Sequence, residues 1–188
     1  MDWLSFSPDP VVTSAVAGFA ALVMFSAAWH KFSEIDVFVG ALDAYGLLPS
    51  GVVVPIARLL PLIEVATGIL SLIPASRSFG LTAFAVLLAL YGVAIAINLA
   101  RGRNQIDCGC GGDVHLLSWG LVARNGVLVC LALAMAVPSG ERPYEWLDAV
   151  ILIFGVLALY GSYLMFDELL RQFGRIAQLK TQSTGTGL

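Results

Sequence analysis

Charge is what this 188-residue chain has least of: only 12% of its residues are Asp, Glu, Lys or Arg, about half the usual share of a soluble domain. Ten basic and thirteen acidic side chains are too few to cover a water-exposed globule of this length. That scarcity excludes a soluble enzyme and a disordered, highly charged protein. A basic excess is also missing. The net charge of −3 offers phosphate no attraction, so nucleic acid is not an expected partner. No internal repeat occurs. The apolar runs show no period of two, which excludes a barrel of alternating strands. The basic n-region of a cleaved signal peptide is absent too, so the first apolar run is read as a retained helix.

What remains is apolar: 59% of the residues, with a mean hydropathy of +0.87. The apolar residues gather into five runs, about Val11–His30, Val52–Ile73, Phe79–Ala100, Leu116–Val137 and Trp146–Phe166. Each is long enough to cross a hydrocarbon core of about 30 Å as a helix. In lipid the backbone must satisfy its own hydrogen bonds, which selects helices. The expected fold is therefore all-α: a polytopic membrane bundle of about five transmembrane helices. It forms one domain over residues 1–180, with a polar, disordered tail at 181–188. Pro55 and Pro61 are expected to bend the second span. Ser14 with Gly18, and Ala17 with Ala21, offer small surfaces for close helix contact.

Five spans put the chain ends on opposite sides. Lys31, Arg101, Arg103, Arg171, Arg175 and Lys180 share one face, with Arg58 and Arg124 just inside it, against Arg77 and Arg142 on the other. The positive-inside rule then puts the N-terminus outside and the 101–115 loop in the cytoplasm.

That loop carries the most informative string, Asp107-Cys108-Gly109-Cys110-Gly111-Gly112-Asp113. Two thiols separated by one glycine can close a small, strained disulfide, and strain favours exchange over stapling. Arg101 and Arg103 nearby favour thiolate. A redox-active dithiol is the leading reading. Two others stay open: soft metal ligation by Cys108, Cys110 and His115 with Asp107 or Asp113, and a loop with two incidental thiols. Cys130, inside the fourth run, reads as a buried small hydrophobe.

Ionisable residues inside spans are functional candidates by default. Glu64 is the clearest, and packing through a paired or protonated carboxylate is its equal alternative. Arg58 and Arg124 are expected to snorkel toward the interface. Asn98 and Asn125 read as interhelical hydrogen-bond partners. In Trp29-His30-Lys31, His30 is a candidate proton carrier, although such a cluster is also an ordinary interfacial anchor.

Several strings together carry a resemblance: Trp29-His30-Lys31; Tyr45-Gly46-Leu47-Leu48-Pro49; Arg58-Leu59-Leu60-Pro61-Leu62-Ile63-Glu64 with Gly68; Cys108-Gly109-Cys110-Gly111-Gly112; and Ser118-Trp119 with Arg124-Asn125. Over about residues 11–166 the chain resembles the MauE family of methylamine-utilisation membrane proteins, related to the wider DoxX-like proteins. The resemblance implies a multi-pass protein of the bacterial inner membrane. Its implied role is in maturation, processing or transport of the small, disulfide-rich β-subunit of periplasmic methylamine dehydrogenase. A thioredoxin-like, MauD-type partner is implied with it, alongside membrane lipid. Cys108 and Cys110 would then be the exchanging, catalytic pair, with His30, Lys31, Glu64 and Arg124 in support. A quinone is a candidate cofactor, and no resident metal is expected. A non-catalytic chaperone or anchor, and a metal-delivery protein, are the alternatives. A periplasmic substrate favours the opposite side of the membrane from the charge count, so those two expectations disagree.

Overall fold

The computed structural model describes residues 7–103, 106, 116–140, 142–143 and 145–185, with 174–185 described by their backbone alone. The helices are α1 (Pro10–Ser33), α2 (Ile35–Ala44), α3 (Ser50–Leu72), α4 (Arg77–Ala100), α5 (Trp119–Met135) and α6 (Trp146–Gly185). A 3-10 turn, Pro74–Ser76, joins α3 to α4. No strand occurs among the described residues. Four helical segments are long and apolar enough to cross a membrane: Pro10–Ser33, Ser50–Leu72, Pro74–Ala100 and Trp146–Phe173. The 17 residues of α5 extend about 25 Å, at the short end of spanning lengths. The protein is an all-α, multi-pass membrane bundle, as its hydropathy requires.

Two features depart from the sequence expectation. Between the first two spans the chain folds into α2 rather than a plain loop. Glu34 breaks the helical path at φ −130° and ψ 52°, and α2 then buries Phe38 and Ala41 against α3 and α1. Gly46, at φ 59°, supplies the left-handed residue that ends this helix. At the other end of the chain, α6 runs to Gly185, so residues 181–185 of the expected disordered tail are helical. Polarity alone set that boundary at 180, but an established helix propagates readily into polar residues. Pro55 and Pro61 both lie within α3, which is helical throughout Ser50–Leu72.

The centre of the bundle is α1, which packs on α3 and α6 and also touches α4 and α5. Its small side chains permit this. Ala17, Ala20, Ala21 and Ala28 are buried, and a Cβ on Gly18 would stand 2.8 Å from Val156 Cγ2 on α6. Phe19, Met24, Leu81, Phe84 and Leu88 fill the core around it. The α3–α4 crossing is closer still: a Cβ on Gly80 would lie 2.4 Å from the Ser71 backbone nitrogen. At the end of the bundle where α1 begins, Asp9 caps the helix by accepting from Val11 N at 2.8 Å. Arg142 donates to Asp9 through Nε at 2.9 Å. It also donates to both Asp148 oxygens at 2.8 Å, which ties the starts of α1 and α6 together.

Two outcomes follow from this packing. Gly80→Ala is expected to cost about 1–3 kcal/mol, because its methyl meets backbone rather than a movable side chain. Gly40→Ala has nothing within 4 Å and should stabilise α2 by up to about 1 kcal/mol; thermal melting of the detergent-solubilised protein distinguishes the two. The second outcome concerns pH. The hydrogen bond from Arg142, then that from the Val11 backbone, holds the Asp9 carboxyl below its ordinary range. A depressed carboxylate contributes stability above its unfolded pKa and loses it as pH falls through the folded value. Acid melting below about pH 4 should therefore loosen this end of the bundle. Asp9→Asn should remove part of that acid dependence.

Candidate functional site

Lys31 sits in the last turn of α1. At 100° per residue it shares a face with Ala28, Met24 and Ala20, all buried, so its ammonium turns into the bundle. Only 4% of the residue is exposed, and Nζ lies 2.5 Å from Oε1 of Glu64, which is fully buried. Glu64 stands on the packed face of α3 with Pro61, Thr67, Gly68 and Ser71. Tyr91 of α4 donates its hydroxyl to the same Oε1 at 2.8 Å. The rings of Tyr91 and Phe38 flank the ammonium, with centroids at 5.1 and 5.3 Å. One ion pair thus joins four helices. Glu64 Oε2 has no hydrogen-bond partner among the described residues.

A second charged pair joins α5 to α6. Arg124 Nη1 donates to Asp167 Oδ1, and Nη2 donates to Asn125 Oδ1 at 3.2 Å. The guanidinium lies 5.3 Å from the Tyr163 ring centroid. Arg124 therefore does not snorkel. It belongs to the inward face of α5 with Leu121, Asn125 and Ala132, where Asp167 offers it a carboxylate. Its Nε has no partner among the described residues.

Between these pairs lies a cavity of about 310 Å³, lined by Lys31, Tyr91, Arg124, Asn125 and Tyr163 together with aliphatic side chains such as Met24, Leu60, Leu87 and Ile95. Its lining includes Leu47 and Leu90, which are both exposed. Tyr45 and Ile95 complete its wall toward α2. They also pack with Leu117 and Leu121 and are joined by Ile106. Leu117 N donates to Ile106 O at 3.2 Å. The described residues on either side of the cysteine string thus rest on the wall of the cavity.

Of the residues singled out by sequence, Lys31, Glu64 and Arg124 come together around this cavity. His30 does not: it is exposed, as are Trp29 and Arg58. Cys108, Cys110, His115, Asp107 and Asp113 lie outside the described residues. Among the described residues, no three His, Cys, Asp or Glu side chains gather as a metal site would require. Two expectations need correction. Cys130 is exposed and free, because it lies about 200° around α5 from both Leu128 and Ala132. Among the described residues, the side-chain hydrogen bonds of Asn98 and Asn125 stay within their own helices, Asn98 Nδ2 donating to Ala94 O at 3.1 Å and Asn125 accepting from Arg124. Sequence reasoning missed Tyr91, Tyr163 and Asp167. Only Asp167 left a trace, as a carboxylate at the end of an apolar run with Arg171 four residues on.

The family profile described as "Methylamine utilisation protein MauE" matches residues 9–138. The chain belongs to the MauE family. Proteins named Methylamine utilization protein MauE resemble it closely. That of Paracoccus versutus is 37% identical over 161 residues, covering 84% of this chain and 85% of the relative. That of Methylorubrum extorquens is 38% identical over 130 residues, covering 68% and 70%. The Paracoccus denitrificans protein is 38% identical over 133 residues, covering 70% and 72%. No solved structure matches. The MauE match runs through α5, so Lys31, Glu64, Tyr91 and Arg124 lie within it and Asp167 lies beyond it.

Removing one partner of a buried ion pair leaves an uncompensated charge and typically costs about 3–5 kcal/mol, whereas replacing both with apolar groups is often close to neutral. Lys31→Met and Glu64→Leu alone should each destabilise the bundle on that scale. The double variant should recover much of the loss, giving a coupling energy that a double-mutant cycle of denaturant melts measures.

Proposed function

We propose that this MauE-family protein acts in the bacterial inner membrane as a thiol–disulfide accessory in maturation of the methylamine dehydrogenase β-subunit. Family membership supports the pathway, and the Cys108-Gly109-Cys110 string supports the chemistry. The single structural observation behind the reading is the position of that string. It falls between Ile106 and Leu117, which are hydrogen-bonded to each other and packed beside the polar cavity. A bundle with charged groups gathered beneath one connection differs from an inert anchor, whose interior gains nothing from buried charge.

The exchange is a two-electron reaction. A thiolate of the partner's reduced dithiol attacks the Cys108–Cys110 disulfide and forms a mixed disulfide. The partner's second thiolate then displaces the loop sulfur. The partner leaves as a disulfide, able to oxidise the β-subunit, and the loop is left as a dithiol carrying the two electrons. The partner is a thioredoxin-like protein of the MauD type.

Replacing both loop cysteines with serine should abolish accumulation of mature β-subunit and the dehydrogenase activity of cells grown on methylamine. A variant with a single loop cysteine should trap a mixed disulfide with the thioredoxin-like partner, visible on a non-reducing gel. Wild-type levels of mature β-subunit in the double-serine variant would overturn thiol exchange and assign the protein a docking role instead.

A further inference from the structure

We propose that the cavity between the Lys31–Glu64 and Arg124–Asp167 pairs binds a neutral, carbonyl-bearing, membrane-soluble ligand, and that its class is a quinone. The proposal deepens the thiol-exchange reading, but its binding half stands without it. The first argument is the chemistry of the lining. The polar residues that line the cavity carry chiefly donors: Lys31, Arg124, Asn125 and the tyrosines Tyr45, Tyr91 and Tyr163. Lys31 has three donor hydrogens and spends one on Glu64. Arg124 is 7% exposed, and its Nε has no acceptor among the described residues. A ligand that supplies acceptors satisfies such a site.

Charge selects the kind of acceptor. Each cation of the cavity is already compensated, Lys31 by Glu64 and Arg124 by Asp167. A carboxylate or phosphate would bring a third, uncompensated anion into a low-dielectric interior. A carbonyl accepts the same hydrogen bonds without that cost.

Size and access select the body. About 310 Å³ is at the small end of ligand sites, suited to one ring system and the start of a chain. Leu90 lines the cavity near the middle of α4 (Arg77–Ala100) and is exposed, so part of the cavity wall faces lipid at membrane depth. A ligand dissolved in the bilayer enters there, and its tail remains among the lipids. Among neutral carbonyl compounds of that kind, a quinone also balances the proposed exchange. Two thiols become one disulfide, and the two electrons and two protons they release convert quinone to quinol.

The test uses the purified full-length protein in detergent with oxidised decyl-ubiquinone as probe. Saturable binding is expected for wild type and equally for the Cys108→Ser, Cys110→Ser double variant. Ala94→Phe fills cavity space from an uncharged lining position and should weaken binding at least tenfold while melting near wild type; Arg124→Gln should weaken it as well. Absence of saturable binding, binding indifferent to Ala94→Phe in a folded protein, or equal displacement by laurate would each overturn the site. Chemically reduced wild type should convert one quinone to quinol per protein, and the double-serine variant none. If wild type binds the quinone but does not reduce it, the thiol-exchange reading fails and the site stands.

Discussion

An ammonium and a carboxylate buried together in an apolar bundle set the terms for the rest of this structure. Either ion alone is expensive at membrane depth, so Lys31 and Glu64 must meet, and α1 and α3 can pack in only one register that lets them. Tyr91 binds the same carboxylate oxygen and brings α4 to that register. Phe38 lies over the ammonium, which holds α2 against the bundle. Hydrophobic packing among aliphatic helices is tolerant of sliding by a turn, since lipid and Leu are alike in polarity. A paired charge is not. Position 64 therefore fixes the alignment of four elements that hydropathy alone would leave loosely specified.

The same pair changes how the basic residues should be counted. Eight of them fall on or near the face of the cysteine string, which by the positive-inside rule would be cytoplasmic. Lys31 and Arg124 turn inward and are neutralised by Glu64 and Asp167. Arg171 lies within 3.9 Å of Asp167 and 2.9 Å of Glu168. The same discount removes Arg142, paired with Asp9 and Asp148, from the opposite face, so the basic bias toward the face of the cysteine string and its disagreement with a periplasmic substrate both remain.

Much of the fold was legible because hydropathy acts locally: a run of apolar residues in lipid has one low-energy form. The short α2 was not: seven of its ten residues are apolar, but the run is too short to span a membrane, and its place depends on contact with α3. The candidate site was half legible. A lone Glu64 in an apolar run announces itself by cost, and Lys31 by nearness to a span end. Their pairing is 33 residues apart in sequence, and no local pattern encodes it. Arg124 misled because a cation near an interface can snorkel or turn inward, and only Asp167, 43 residues away, decides. Cys130 misled for a simpler reason: membership of an apolar run says that a residue is in the membrane, not which face of the helix carries it.

These points converge on why the cavity matters to the cysteine string. A membrane protein that exchanges thiols with a water-soluble partner must do chemistry at its surface, yet this one gathers its charge inside. Beyond setting helix register, that interior would enter the proposed exchange through something drawn from the bilayer. Ile106 and Leu117 rest on the same cluster, with Tyr45 and Ile95, that walls the cavity, so the described residues bracketing the cysteine string share one support with the interior site. A change in the occupancy of the cavity acts on that wall directly. The Lys31–Glu64 pair holds that wall in register, because Lys31 and its ring partners Tyr91 and Phe38 are themselves part of the lining.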